Sequence, residues 1–207
     1  YYMKRLLLVF FIGLATLQGF AQGKVGSLTF IPKVGINLAT VAGEPTFWTG
    51  EELKPKMRIG VAAGIDAEYQ MSELMSLSAG VLYSMQGHNF DDVTYQRDYS
   101  ATIHYINVPV MMNFYVLKGL ALKVGVQPGY ALARKVSYEQ KLGEVWSSSS
   151  LSTSYANFDL AVPVGIAYDI DRVRIDARYN FGLLNVNNLD NGKFSNRVIQ
   201  VTLGYRL

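Results

Sequence analysis

The 207-residue chain contains no cysteine, which excludes disulfide bonds, thiol catalysis and Cys-ligated metal sites. Its 19 basic and 16 acidic residues give a net charge of +3. Removing the N-terminal leader predicted below takes Lys4 and Arg5 away and leaves 17 basic residues against 16 acidic ones, so the composition predicts no nucleic-acid partner.

The first 21 residues are predicted to form a secretory signal peptide. Lys4-Arg5 supplies a positive n-region, Leu6–Leu17 an apolar segment too short to span a membrane, and Gly19-Phe20-Ala21 a small-residue cleavage site. A buried core helix is the alternative interpretation. Tyr1-Tyr2 precedes the expected initiator methionine and is interpreted as a start-site artefact. The mature domain is expected to comprise residues 22–207.

After the leader, the chain is predicted to be all-β, because apolar and polar residues alternate along most of its length. In Val173–Leu183 the apolar side chains occupy every second position, and Arg174, Asp176, Arg178 and Asn180 stand between them. About ten residues of this kind suit a strand that crosses an outer membrane. Eight such strands are predicted: Thr29–Ala39, Arg58–Gln70, Met75–Gln86, Thr102–Val116, Leu120–Lys135, Ser154–Ile170, Val173–Leu183 and Arg197–Leu207.

The predicted connections alternate between long and short. Long loops are expected at 40–57, 87–101, 136–153 and 184–196, and short turns at 71–74, 117–119 and 171–172. This alternation is typical of outer-membrane barrels, in which the short turns face the periplasm. The predicted fold is therefore an eight-stranded antiparallel up-and-down transmembrane β-barrel. The predicted location is the bacterial outer membrane, as an integral protein.

A soluble barrel of the lipocalin type would place the apolar face inside instead. Two features favour lipid on the apolar face. The polar face is rich in glycine, as a cramped interior requires. Aromatic residues such as Tyr69, Tyr205, Tyr83 and Tyr179 gather near strand ends on the apolar face, as in interfacial girdles.

Charges of both signs fall on the polar face, and we expect them to pair inside the barrel as a structural network. Lone buried charges would each cost several kcal/mol, roughly. The predicted network consists of Lys33, Arg58, Asp66, Glu68, Lys123, Asp159, Asp169, Arg174, Asp176, Arg178 and Arg206.

Four prolines fall inside predicted strands: Pro32, Pro109, Pro128 and Pro163. Proline cannot donate to a β-ladder, so bulges or register breaks are expected at these positions.

Four sequence patches together resemble the PorT-like outer-membrane β-barrel domain family of Bacteroidota-type Gram-negative bacteria. They are Lys33-Val34-Gly35-Ile36-Asn37-Leu38, Tyr105-Ile106-Asn107-Val108-Pro109-Val110, Gln127-Pro128-Gly129-Tyr130, and the run Asn157-Phe158-Asp159-Leu160 through Gly165 and Tyr168. The resemblance implies an eight-stranded barrel in the outer membrane and no specific activity. The family's namesake takes part in protein secretion. The C-terminal Leu203-Gly204-Tyr205-Arg206-Leu207 also resembles the signal that the barrel-assembly machinery reads.

The only histidines, His88 and His104, flank the second long loop and are expected to lie close together at the outer rim. With a neighbouring carboxylate they could bind a metal or act as an acid–base pair, and Ser100 could complete a hydrolase set. The alternative interpretation is an ordinary polar loop. Phe47, Trp48 and Trp146 lie in long loops and are candidates for contact with a partner or with the lipid interface.

The predicted function is a non-enzymatic outer-membrane protein that serves as a structural element, a surface-interaction module or an accessory subunit of an envelope or secretion complex. No catalytic, cofactor or metal residue is assigned. The expected partners are outer-membrane lipid, the barrel-assembly machinery and other envelope proteins. The alternatives are a rim-located enzyme of lipid or protein processing that uses His88 or His104, and a small porin-like channel.

Overall fold

A computed structural model describes residues 24–43, 55–90, 96–142, 145–151, 157–185 and 194–207. Within these ranges, ten strands form one antiparallel sheet, and no helix is long and apolar enough to cross a membrane. The strands are β1 Leu28–Ala42, β2 Pro55–Ser72, β3 Met75–Phe90, β4 Gln96–Asn107, β5 Val110–Leu117, β6 Leu120–Leu142, β7 Val145–Leu151, β8 Phe158–Ile170, β9 Val173–Gly182 and β10 Ser195–Tyr205.

Nine of the strands form a ring through backbone pairing. The order runs from β1 through β2 and β3, then β4 and β5, to β6, β8, β9 and β10, and β10 pairs with β1 again. The strands β4 and β5 follow one another along the same gap, since both pair with β3 on one side and β6 on the other. The tenth strand, β7, pairs with the far end of β6.

Several predicted strand boundaries are wrong. The loop predicted over 87–101 is too long, because β3 continues to Phe90 and β4 begins at Gln96. The strand predicted as continuous over Thr102–Val116 is divided into β4 and β5 at Val108-Pro109, because the proline nitrogen cannot donate to the ladder. The loop predicted over 136–153 is largely a hairpin of β6 and β7. Its serines do not prevent this, because the ladder is made by backbone groups.

The other prolines are accommodated with less disturbance than the sequence predicts. None of the register shifts in the sheet falls at Pro32 or Pro128. Pro32 pairs with β2 and stands just before the first pair between β1 and β10, where no donor is required. Pro163 lies where the ladder between β6 and β8 lacks two pairs without changing register. The expectation of bulges at all four prolines is therefore wrong.

The predicted short turns hold the strands together at one end. β2 meets β3 through Glu73-Leu74, β5 meets β6 through Lys118-Gly119, and β8 meets β9 through Asp171-Arg172. The last of these turns requires a residue in the left-handed backbone conformation, and Asp171 adopts this conformation with φ of 54°. Aspartate tolerates this conformation better than most residues, so the sequence suits the turn.

The sheet is apolar on its outer face and polar on its inner face. Outward residues are strongly exposed, for example Val34 at 63% and Ile59 at 70%. Inward residues are buried although many are polar, for example Asn37 and Gln200 at 0%. Soluble proteins show the reverse distribution. A few inward positions, among them Leu82 and Met111, are apolar and fill the remaining space.

Glycines on the inner face make room for the charged side chains. A Cβ at Gly165 would lie 2.7 Å from Cβ of Arg178 on β9. A Cβ at Gly80 would collide with the carboxylate of Asp66 on β2. Small residues are therefore required beside the bulky ionic ones.

Replacing Gly165 by alanine should lower the free energy of unfolding by about 1–3 kcal/mol, because the added methyl group overpacks the contact with Arg178. Urea unfolding followed by gel mobility measures the loss. Replacing the outward-facing, exposed Ala63 by valine adds more volume and serves as the control. If both variants unfolded at the same urea concentration as the parent, the packing described here would be wrong.

Candidate functional site in the interior of the ring

Four charged side chains meet inside the ring near the short turns, and we call Glu68, Asp169, Arg174 and Arg206 the turn-side cluster. Arg174 lies at its centre. Its Nη1 donates to Oε2 of Glu68, and its Nη2 donates to Oε1 of Glu68 at 3.1 Å and to Oδ2 of Asp169 at 2.7 Å. Its Nε donates to Oδ1 of Asp169 at 2.5 Å. Arg206 donates to Asp169 at 2.5 Å and lies 3.6 Å from Glu68.

Two neutral side chains complete this cluster. The Tyr115 hydroxyl donates to Oε1 of Glu68 at 2.8 Å and accepts from Nη2 of Arg174 at 3.1 Å. Asn113 donates to Oε2 of Glu68 at 3.2 Å. The sequence interpretation did not identify either residue. Their position could have been inferred from the sequence. Both stand an even number of residues after the inward-facing Asn107, so they lie on the same face of the sheet.

A second group lies further along the strands, and we call Lys33, Asp66, Lys123, Asp176 and Arg178 the central cluster. Lys33 donates to Asp66 at 2.5 Å. Lys123 donates to Oδ2 of Asp176, and Nε of Arg178 donates to Oδ1 of the same carboxylate at 2.9 Å. All five residues are buried. The pairs Lys33–Asp66 and Lys123–Asp176 therefore join different strands, whereas Arg178 and Asp176 both lie on β9, and all of them are in surroundings from which water is largely excluded.

Two residues of the predicted interior network have different surroundings. Arg58 is half-exposed near the long-loop end, and its described hydrogen bonds go to Ser100 and, at 3.4 Å, to Asn89, rather than to a carboxylate. Asp159 is buried, and it accepts from Asn196 at 2.7 Å and from the Leu160 backbone nitrogen at 2.8 Å. Asn196 was not identified from the sequence.

The expectation that His88 and His104 form a common site is wrong. In the ladder between β3 and β4, His88 pairs with the buried Ala101, whereas His104 pairs with Met85 on the outer face. His88 therefore points inward, where its ring lies 4.8 Å from that of Phe90. His104 points outward, and its Nδ1 lies 2.7 Å from the Tyr83 hydroxyl. A sheet separates the two imidazoles.

The structure shows less about the other residues that were predicted as candidates for a site. Ser100 accepts its described hydrogen bond from Arg58, not from His104. Trp146 belongs to β7 and pairs through its backbone with Lys141. Phe47 and Trp48 lie outside the described residues, as does the predicted signal peptide. Among the side chains that the structure describes, no group of three His, Asp or Glu residues is arranged to hold a metal ion.

The charged side chains inside the ring link different strands of the sheet to one another. In the turn-side cluster two guanidinium groups face two carboxylates, and each carboxylate accepts more than one charge-assisted hydrogen bond. Such bonds are roughly twice as strong as neutral ones. A carboxylate that is engaged in this way is poorly suited to exchange protons with a substrate.

Replacing Glu68 by glutamine should lower the free energy of unfolding by about 3–5 kcal/mol, since two buried guanidinium groups would then share one carboxylate. Equilibrium unfolding in urea measures the change. Replacing the exposed turn residue Glu73 by glutamine is the matched control and should have little effect. Equal stability of the two variants would contradict the assigned role of the turn-side cluster.

Comparison with known proteins identifies a family and several solved structures that this chain resembles. The sequence model of the family described as outer membrane protein beta-barrel domain matches residues 20–188. No curated protein matches the chain. Among solved structures, the attachment invasion locus protein Ail of Yersinia pestis has 16% identity and a TM-score of 0.50, and the alignment covers 89% of this chain and 100% of that one. Neisserial surface protein A has 16% identity and a TM-score of 0.47, with 86% and 96% covered.

The family match covers most of the chain, and the likeness to Ail extends to the fold. The exposed apolar face of the ring then has a physical reason, because it meets lipid instead of water. The chain belongs to the outer membrane protein beta-barrel domain family and is an integral protein of the bacterial outer membrane.

Proposed function

We propose that this protein is a closed eight-stranded transmembrane barrel without enzymatic activity, which presents an extended sheet at its long-loop end to another envelope protein. The count of eight follows if β4 and β5 are treated as one strand interrupted at Pro109. Both alternate in the same phase, with odd-numbered residues directed inward, and they meet the same two neighbours.

The observation that carries the proposal is the length of β6. This strand has 23 residues, whereas a barrel strand needs about 9–11 to cross the membrane. Its last pair with β8 is between Tyr130 and Phe158, and beyond that point it continues to Leu142, paired with β4 as far as Gln140 and with β7 from Val136 onward. Twelve residues of strand span about 40 Å. A barrel that only spanned the membrane would not need this extension.

The interior supports a structural rather than a conducting role. The turn-side and central clusters both lie across the interior, and eight-stranded barrels have room for little more than their own side chains. Neither alternative function gains support from the described residues. The two histidines do not meet, and charged and polar side chains occupy the interior positions.

We also propose that the protein belongs to the PorT-like branch of its family and acts as an accessory subunit of an envelope or secretion complex. The sequence patches that resemble the PorT-like family lie at positions with structural roles. Lys33 belongs to the central cluster, Asn37 donates to Ser84 at 2.9 Å on β3, and Pro109 divides β4 from β5. These are scaffold positions, so the specific partner has to be recognised by the parts of the chain beyond the membrane.

In planar lipid bilayers, the purified protein should give no stepwise conductance, because the two ionic clusters close the interior. A porin of known conductance, inserted under the same conditions, provides the positive control. Reproducible single-channel steps from the folded protein would contradict the proposal of a closed interior and favour the channel alternative.

Shortening the hairpin of β6 and β7 should abolish binding of an envelope partner without unfolding the barrel. Glu139 pairs with Ser148, so residues 139–148 can be replaced by Asn-Gly, which forms a tight hairpin turn. We expect proteins cross-linked to the parent chain in native envelopes to be lost from this variant, as quantified by mass spectrometry.

The matched control places Asn-Gly at the opposite end, in place of Asp171-Arg172. It should retain the same cross-linked proteins, and heat-modifiable gel mobility should show that both variants are folded. Retention of every partner by the shortened variant, or loss by the turn-side control, would contradict a role for the extended sheet.

A further inference from the structure

The central cluster contains one more positive charge than negative charges. Lys33, Lys123 and Arg178 face Asp66 and Asp176, and all five side chains are at least nine-tenths buried. Lys123 and Arg178 share the carboxylate of Asp176, whereas Lys33 has the carboxylate of Asp66 to itself. An uncompensated buried charge costs several kcal/mol, roughly, so the excess requires a counter-charge.

The buried carboxylate of Asp159 is too far away to supply it. On β8, the residue level with Arg178 is Gly165, which pairs with it directly. Asp159 is six residues further along β8, which corresponds to about 20 Å. It is also already engaged by Asn196 and the Leu160 backbone nitrogen.

Three hydrogen-bond donors beside the excess charge have no hydrogen-bond partner among the described residues. They are Nη2 of Arg178, Nε2 of Gln200 and Oγ1 of Thr202. The other guanidinium nitrogens of Arg178 are used, Nε by Asp176 at 2.9 Å and Nη1 by the Met111 sulfur at 3.4 Å. Leaving a buried donor unsatisfied costs about 1–3 kcal/mol, and more for a charged group.

The sheet register brings these three donors together on the inner face. Gln200 of β10 stands directly opposite Arg178 of β9, and Thr202 stands opposite Asp176, two positions along. Adjacent strands are about 4.8 Å apart, and residues two apart on one strand are about 6.6 Å apart. The three residues therefore share one small area of the inner face, where the long side chains of Arg178 and Gln200 can extend towards a small particle next to Thr202.

We propose that the interior of the ring binds one small monovalent anion, of the size of chloride, between Arg178, Gln200 and Thr202. An anion accepts from all three donors and balances the excess positive charge. A water molecule would satisfy donors but leave the charge uncompensated. The amide oxygens of Asn37 and Asn180, which also have no hydrogen-bond partner among the described residues, suit water molecules beside the ion. The proposal does not depend on the protein's function.

The solution test compares the full-length mature protein folded in chloride, bromide or gluconate at equal ionic strength and pH. The urea midpoint of unfolding should be higher in either halide than in gluconate, which is too large for the site. Replacing Gln200 by glutamate places a carboxylate beside Arg178, so this variant should unfold at the same midpoint in all three salts. Replacing the equally buried Gln127 by glutamate on β6 is the control, and it should keep the halide dependence.

Thr202→Val provides a second variant of nearly unchanged shape if the Gln200 variant does not fold. It should reduce the difference between chloride and gluconate. The direct test is the crystal structure of the bromide-loaded protein, in which an anomalous peak should appear within hydrogen-bonding distance of Arg178, Gln200 and Thr202. Equal midpoints of the parent protein in all three salts, or crystals in which water alone contacts these donors, would overturn the proposal.

Discussion

Ion pairing between distant strands is the interaction on which the rest of this structure depends. Arg174 and Glu68 are separated by 106 residues in the chain, and their contact joins β9 to β2 across the interior. Lys123 joins β6 to Asp176 on β9 in the same way. Because these charges satisfy one another, polar side chains can occupy the inner face while the outer face stays apolar.

The small residues of the inner face follow from the same constraint. The inner face of the ring is filled by its own buried side chains. Each large ionic residue therefore needs a small neighbour, and glycine supplies it where Arg178 passes Gly165 and where Asp66 passes Gly80. Pro109 and Pro163 are likewise accommodated, as breaks in the ladder that leave the direction of the strands unchanged. The predominantly apolar outer face can then extend from β1 round to β10.

The alternation of residue types predicted the inner and outer faces correctly for the strands in which it is strict. It also predicted the three short turns, because Lys118-Gly119 and Asp171-Arg172 break the pattern with residues that suit tight turns. The extent of β6 and β7 was missed, since a serine run has no hydrophobic periodicity and only its backbone takes part in the ladder. The prediction that the two histidines lie close together was wrong, because proximity in sequence does not show on which face of the sheet a side chain lies. That face depends on the register in which β3 pairs with β4. The sequence did not predict the roles of Tyr115, Asn113 and Asn196. Neutral polar residues join a network only through a charged neighbour, and that neighbour is known only from the structure.

The apolar face of the sheet meets lipid, while the ionic face is directed inward. The most direct measurement is the set of nuclear Overhauser contacts between methyl groups and lipid acyl chains, recorded on the folded protein in lipid nanodiscs. Val81 and Leu82 are neighbours on β3, and they are exposed by 52% and 0% respectively. We expect strong acyl-chain contacts for the methyl groups of Val81, Val61 and Leu203, and none for those of Leu82 or Val198. Acyl-chain contacts at Leu82 together with water contacts at Val81 would contradict this arrangement of the two faces.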